Sequence, residues 1–175
     1  MEQIVNISWR GPFSLKEVES LDDDASDYGL YQIYAHHPVY GRALVYIGKA
    51  REQTFAQRIP QHDWGSGSEN DPAKVEVYVG RLVGDSTPPL EEWRQQIDAA
   101  EKLLVHSHGP AYNTQCIYNA PSEAECGNVR VLNWGACRSV AREVSGIVWT
   151  SKGLAFRNQP SYTTRVPVLE TSTTG

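Results

Sequence analysis

The chain has 175 residues, 40% hydrophobic and 21% charged, values that are ordinary for a globular protein with one domain. No apolar run approaches the roughly 20 residues that a membrane-spanning helix needs. The first residues also lack the basic start and apolar stretch of a secretory leader. We therefore expect a cytoplasmic protein that makes no membrane contact. The net charge of −5 argues against a broad nucleic-acid-binding face, because phosphate contacts need lysine and arginine.

Residues 1–27 combine a short apolar run with a Gly-Pro break and an acidic segment, which predicts an N-terminal arm. Residues 28–36 and 42–48 are rich in aromatic and β-branched residues, as strands are. The segment between them contains proline and glycine, so it predicts the turn of an antiparallel hairpin. Residues 74–83 alternate between valine and polar residues and predict a third strand.

A short or broken helix is expected between the second and third strands. Thr54 with Gln57 three residues later has the form of a capping box. Pro60 limits the helix, because the residue before a proline disfavours helical geometry.

The clearest helix is predicted over 88–106, with prolines in its first turn and Gly109 at its end. Its apolar stripe includes Ile97 and Leu104, and Glu101 shares that face. A buried carboxylate is costly unless it is paired or binds a metal. The pattern leaves two alternatives open for Glu101, a metal or catalytic site and a structural pair with an arginine.

The remainder of the chain has weaker signals. Residues 129–132 and 146–150 predict short strands, and 136–145 predict a short helix. The last residues, rich in threonine and serine, predict an extended and partly disordered end. After residue 121 basic residues outnumber acidic ones by six to four.

Three cysteines, Cys116, Cys126 and Cys137, are widely spaced and include no C-x-x-C pair. This spacing argues against a zinc ribbon and against a thioredoxin-like site. A metal site combining them with His106 or His108 stays open, but buried, reduced thiols are the preferred interpretation.

Gly29-Leu30-Tyr31 and Tyr46-Ile47-Gly48 resemble the two halves of the signature of the GIY-YIG nuclease family, with leucine in place of the usual isoleucine. Three further residues match that family in the correct order, and a fourth resembles a histidine of some members, including certain restriction enzymes. The three matching residues are Arg58, Glu101 and Asn113, and the residue that resembles the histidine is His62.

The resemblance covers about residues 27–115 and implies an α/β (α+β) fold, a small, mainly antiparallel three-stranded sheet with flanking helices. The expected division is then an arm at 1–27, a nuclease-like domain at 28–115 and an extension at 116–175. That extension is expected to bind substrate, through Arg138 and Arg142, or to form a homodimer.

The resemblance also implies a role for each residue of the motif. Glu101 would anchor one Mg²⁺ or Mn²⁺ ion near the leaving group, since such hard cations prefer oxygen ligands. Arg58 would bind the phosphate with its planar fork of donors. Tyr31 would activate the attacking water, and it would need help because a phenol titrates near about 10.

Supporting roles fall to neighbouring residues. His62 and Tyr46 could help Tyr31 by hydrogen bonding, Lys49 could contact phosphate, and Asn113 would orient the site. Gly29 and Gly48 belong to the motif as structural positions. Each residue also has a plainer interpretation, as a strand-edge tyrosine, a surface ion pair or a loop residue.

The function expected from the resemblance is divalent-metal-dependent hydrolysis of nucleic-acid phosphodiesters, with double-stranded DNA ranked above RNA. The alternative is a catalytically inactive GIY-YIG-like module that binds nucleic acid or another protein. Its support is the negative net charge and the position of Pro60 beside Arg58, which could misplace the guanidinium.

Overall fold

The computed structural model describes residues 2–62, 64 and 74–150. These residues form one mixed, curled sheet of six strands, a half-barrel with few helices. The strands are β1 (Gln3–Phe13), β2 (Gly29–His37), β3 (Gly41–Ala50), β4 (Glu76–Val83), β5 (Val129–Gly135) and β6 (Glu143–Ser145). The helices are α1 (Leu15–Val18), α2 (Phe55–Arg58), α3 (Leu90–His108), α4 (Glu123–Cys126) and α5 (Gly146–Trp149).

The strand order across the sheet is β3-β2-β4-β1-β5-β6. All neighbouring strands are antiparallel except β1 and β5, which run parallel. In the β2–β3 hairpin, Tyr31 lies opposite Gly48 and Leu30 opposite Lys49. Strand β3 forms one edge of the sheet.

Each face of the sheet has its own hydrophobic cluster. On one face α3 packs through Ile97 and Leu104 against a cluster that includes Trp9. On the other, Phe55 from α2 and Ile59 from the 3₁₀ turn (Ile59–Gln61) pack beside Tyr31. The two clusters fix the short α2 and the long α3 near the same edge strand. In the part of the chain that the structure describes, no helix is both long and apolar enough to cross a membrane.

The expected small three-stranded sheet with flanking helices is wrong. The three strands predicted from the sequence do form and are neighbours, as β3-β2-β4, but they make up only half of a six-stranded sheet. Strand β1 comes from the segment interpreted as an arm, and β5 and β6 come from the segment interpreted as an extension. Strand β1 pairs with strands that lie far away in the sequence, so no local sequence pattern predicts this pairing.

Two predictions near the C-terminal end are also wrong. Residues 136–145 do not form a helix, and residues 146–149 form α5 rather than a strand. Arg138 has a positive φ of 51°, a left-handed conformation that a right-handed helix does not continue through. Strand β6 instead occupies Glu143–Ser145. The extended and partly disordered end predicted for the last residues lies outside the described part of the chain.

Candidate active site

Two tyrosines of the β2–β3 hairpin lie against each other. The rings of Tyr31 and Tyr46 are stacked, with centroids 6.0 Å apart and planes 27° apart. Gly48 makes room for them, because a Cβ there would lie 2.5 Å from the Tyr31 hydroxyl oxygen and 2.6 Å from the Tyr46 ring. Gly29 has a positive φ of 143°, and a Cβ on it would lie 2.1 Å from the carbonyl oxygen of Gly80. Both motif glycines are thus required by close approach.

The two phenols differ in burial but share their electrostatic surroundings. Tyr31 is fully buried, and its hydroxyl makes no well-formed hydrogen bond. Burial, together with Tyr46 and the negative charge of Glu101, raises the pKa of Tyr31, while the positive charge of Arg58 opposes the rise. Burial and Glu101 likewise raise the pKa of Tyr46. Both phenols therefore keep their protons at neutral pH, and the charges of Arg58 and Glu101 affect the pKa of each.

Arg58 reaches this site from the last position of α2. The Thr54 hydroxyl caps that helix by accepting a hydrogen bond from the Gln57 backbone N–H. Pro60 does not displace Arg58, because the chain tightens into the 3₁₀ turn, in whose first turn the proline lies. The guanidinium donates to the Gln61 side-chain oxygen at 2.8 Å. The predicted short helix is confirmed, and the charge of Arg58 at its end opposes the rise in the pKa of both tyrosines.

His62 follows the turn and joins a cluster of aromatic rings. Its ring centroid lies 5.4 Å from that of Tyr46 and 5.1 Å from that of Trp64. The His62 Nε2 atom is buried and has no hydrogen-bond partner among the described residues. Burial and the charge of Arg58 lower the pKa of His62, so its ring is neutral at pH 7 and can accept a proton. The sequence interpretation missed Trp64, which stands two residues after His62.

Glu101 lies on the other side of the edge strand, on α3. Its side chain is 19% exposed, so it is neither sealed in the core nor free at the surface. The Lys49 ammonium bridges two carboxylates, with Nζ 2.7 Å from Glu101 Oε2 and 2.8 Å from Asp98 Oδ1. Burial opposes the charge on Lys49, but the two carboxylates outweigh it and raise its pKa. Asp98 was missed by sequence reasoning, although it stands three residues before Glu101 and so shares its helix face.

The ion pairs continue beyond Asp98. Arg51 bonds to the second Asp98 oxygen and also lies 3.5 Å from Glu52, which in turn accepts a hydrogen bond from Arg94 at 2.7 Å. A groove of about 790 Å³ opens there, next to the tyrosine site rather than over it. The groove is lined by Arg51, Glu52 and Arg94. Two aromatic rings in edge-to-face contact, Tyr28 and Trp93, also line it.

Asn113 holds the end of β3 in place. Its side-chain oxygen accepts from the Ile47 backbone N–H at 2.9 Å, and its side-chain nitrogen donates to the Ile47 carbonyl at 2.8 Å. This paired contact fixes the strand that carries Tyr46 and Gly48. The part that Asn113 would play in orienting the site stays a prediction.

Arg138 and Arg142 are not brought to this site. The Arg138 guanidinium pairs with Glu76 and lies 4.0 Å from the centre of the Tyr34 ring. Arg142 contacts the Gly135 carbonyl at 3.4 Å. The part they would play in substrate binding stays a prediction.

The two carboxylates that pair with Lys49, Asp98 and Glu101, are of the type that a hard divalent cation prefers. The described residues contain no group of three or more His, Cys, Asp or Glu side chains placed to hold a metal, which leaves the cysteine–histidine site without support. The three cysteines are free thiols. Mg²⁺, however, often takes only one or two carboxylates, with water and phosphate completing its shell. Glu101 supplies one such carboxylate, and its charge contributes to the raised pKa of the buried Tyr31 hydroxyl.

Comparison with known proteins adds no relative. No protein-family profile matches the chain, and neither a curated protein nor a solved structure resembles it significantly. The resemblance to GIY-YIG nucleases therefore depends on the motif residues of the sequence alone.

Proposed function

We propose that the chain is a metal-dependent nuclease that hydrolyses nucleic-acid phosphodiester bonds. The observation that carries this proposal is the convergence of four side chains from separate elements. Arg58 and Glu101, from α2 and α3, exert their charges on both Tyr31 and Tyr46 at one edge of the sheet. A cation, a carboxylate and weak acids at one place are what phosphodiester hydrolysis requires.

In this proposal Arg58 binds a non-bridging phosphate oxygen, where its fixed charge offsets the negative charge that develops in the transition state. Because the raised pKa keeps Tyr31 protonated, its hydroxyl orients the attacking water and is not a base formed in advance. The neutral His62 ring accepts the proton that the water loses. The water oxygen adds to phosphorus as the P–O bond to the leaving oxygen breaks, and the proton taken up by His62 is returned, through solvent, to that oxygen.

Glu101 would hold the divalent cation, Mg²⁺ or Mn²⁺. When bound there, the cation would stabilise negative charge on the leaving oxygen. Lys49, the carboxylate's present partner, would bind phosphate once that pairing is broken. Double-stranded DNA remains the first substrate to test, and a homodimer and a cytoplasmic location remain predictions.

Nicking of supercoiled plasmid in Mg²⁺ or Mn²⁺ tests the proposal, with Glu101→Ala compared with Glu125→Ala. Both glutamates pair with a lysine at 2.7 Å, but Glu125 pairs with Lys102 on α3, outside the proposed site. We expect Glu101→Ala to lower cleavage by about 100-fold or more and Glu125→Ala to leave it unchanged. Equal cleavage by wild type and Glu101→Ala would contradict the proposal.

The second candidate function is a catalytically silent binding module. One observation favours it, the pairing of Lys49 with both carboxylates, which leaves neither of them free. The two functions are separated by measuring both the binding and the metal-dependent cleavage of single-stranded DNA, double-stranded DNA and RNA. Binding without metal-dependent cleavage of any of these substrates would favour the silent module.

A further inference from the structure

The strongest feature that the proposed roles leave unexplained is the position of Lys49. Its ammonium lies between two carboxylates of the same helix face at nearly equal distances, 2.7 Å from Glu101 and 2.8 Å from Asp98. All three side chains are largely buried, with exposures of 30% for Lys49, 30% for Asp98 and 19% for Glu101. Lys49 thus shares one positive charge between two partly desolvated carboxylates, and Arg51 supplies a second cation to Asp98 alone.

We propose that Lys49 occupies the place of the divalent cation and that Asp98 and Glu101 hold that cation together once the ammonium has left. This inference depends on the proposed function and adds Asp98 to its site. An ammonium and a divalent cation compete for the same oxygens, because both bind carboxylates through charge. The site therefore alternates between a lysine-closed form and a metal-bound form.

Three observations support the competition. Asp98 and Glu101 are three residues apart on α3, so their side chains project from one face of the helix. The Tyr31 hydroxyl is buried without a well-formed hydrogen bond, and the negative charge of Glu101 contributes to the raised pKa of this phenol. Arg51 bonds to the second oxygen of Asp98, which orients that carboxylate as an outer partner orients a metal ligand.

The exchange also gives Lys49 a second role. With its two carboxylates taken by the cation, the ammonium can bind a phosphate oxygen of the substrate. Metal and nucleic acid would then favour each other, because each stabilises the open position of Lys49.

The test is Mn²⁺ binding in the absence of nucleic acid, measured from the electron paramagnetic resonance signal of free Mn²⁺. Three variants of the full chain are compared with wild type: Lys49→Met, Asp98→Asn and Lys102→Met. The last is the matched control, because Lys102 also pairs with a glutamate at 2.7 Å and its removal changes the net charge equally.

We expect Lys49→Met to bind Mn²⁺ about tenfold tighter than wild type and Asp98→Asn about tenfold weaker. Lys102→Met should stay within about twofold of wild type, as expected for an exposed pair. Lys49→Met binding no more tightly than Lys102→Met, or Asp98→Asn binding as wild type does, would overturn the inference. Should Lys49→Met fail to fold, Lys49→Gln removes the same charge and must show the same gain.

The result is separable from that of the cleavage assay. If no nucleic acid is cut but Lys49→Met binds Mn²⁺ more tightly, the nuclease proposal fails and the competition stands. If cleavage depends on Glu101 while Asp98→Asn binds Mn²⁺ normally, the shared site fails and the nuclease proposal stands.

Discussion

Gly48→Ala should damage both the stability and the activity of the protein, because this glycine makes room for Tyr31. The new Cβ would lie 2.5 Å from the Tyr31 hydroxyl oxygen and ring and 2.6 Å from the Tyr46 ring. Real Cβ contacts of that length do not occur, so one of the rings must move. Tyr31 is fully buried and stacked on Tyr46, so it has no open space to move into.

The loss of stability can be estimated from substitutions that overpack a protein core, where an extra methyl group destabilises the folded state by about 1–3 kcal/mol. At about 2 kcal/mol the melting temperature of a chain of this size falls by about 4–8 °C. A displacement of about 1 Å in a positioned side chain can lower a catalysed rate by about 100-fold. Plasmid nicking by Gly48→Ala should therefore be lower than that of the wild type by about that factor.

Thermal unfolding followed by circular dichroism measures the first effect, and plasmid nicking measures the second. Gly84→Ala is the control, since a Cβ at Gly84 would meet only the Ser86 carbonyl oxygen, at 3.7 Å. If Gly48→Ala melts and cleaves as Gly84→Ala does, the packing argument is wrong. A lower melting temperature with full cleavage would mean that Tyr31 has no part in the reaction.

Three further predictions concern side chains that contribute to the stability of the folded protein. Asn113→Ala should lower the free energy of unfolding by about 1–3 kcal/mol, because both backbone groups of Ile47 lose a partner, and urea unfolding measures the change. Stability should also fall as the pH drops below about 6.5, since burial lowers the pKa of His108 in the folded state and the unfolded chain then binds the proton more readily. Urea unfolding between pH 5 and 8 should show a smaller pH dependence in His108→Gln, and an unchanged slope would refute this role. Arg138→Ala should cost about 1–2 kcal/mol through its ion pair and its contact with an aromatic ring, whereas Arg142→Ala should cost less, and their melting temperatures decide the point.

The local parts of the fold could be predicted because their signals lie within a few residues. The β2–β3 hairpin has aromatic strands around a turn that contains proline and glycine. Helix α3 has an apolar stripe and a glycine cap with a positive φ of 55°, although it begins at Leu90, so that its two prolines precede it rather than form its first turn. Strand β1, in contrast, pairs with β4 some 70 residues later and with β5 some 120 residues later. No pattern within a short window reveals such partners, and a three-residue strand such as β6 has too few positions to show alternation.

In the candidate site, too, some residues could be identified from the sequence, whereas others depend on contacts between distant elements. The motif halves led to two tyrosines whose rings stack, and to Arg58 and Glu101, whose charges act on both phenols. Asp98 was overlooked, since an acidic residue on a helix usually faces solvent. Its position relative to Glu101 was readable, but its contact with Lys49 depends on how α3 packs against β3. That packing is a tertiary result.

The position of β1 between β4 and β5 has a consequence for how the protein is made. During synthesis β1 leaves the ribosome well before its two neighbours in the sheet, β4 and β5. Until residues 76–83 and 129–135 have emerged, both edges of this strand are unpaired, and unpaired edges recruit other chains. Pairings this distant in sequence also form slowly. The newly made chain should therefore need a chaperone or a low concentration until β5 has docked, and fragments ending before residue 129 should aggregate.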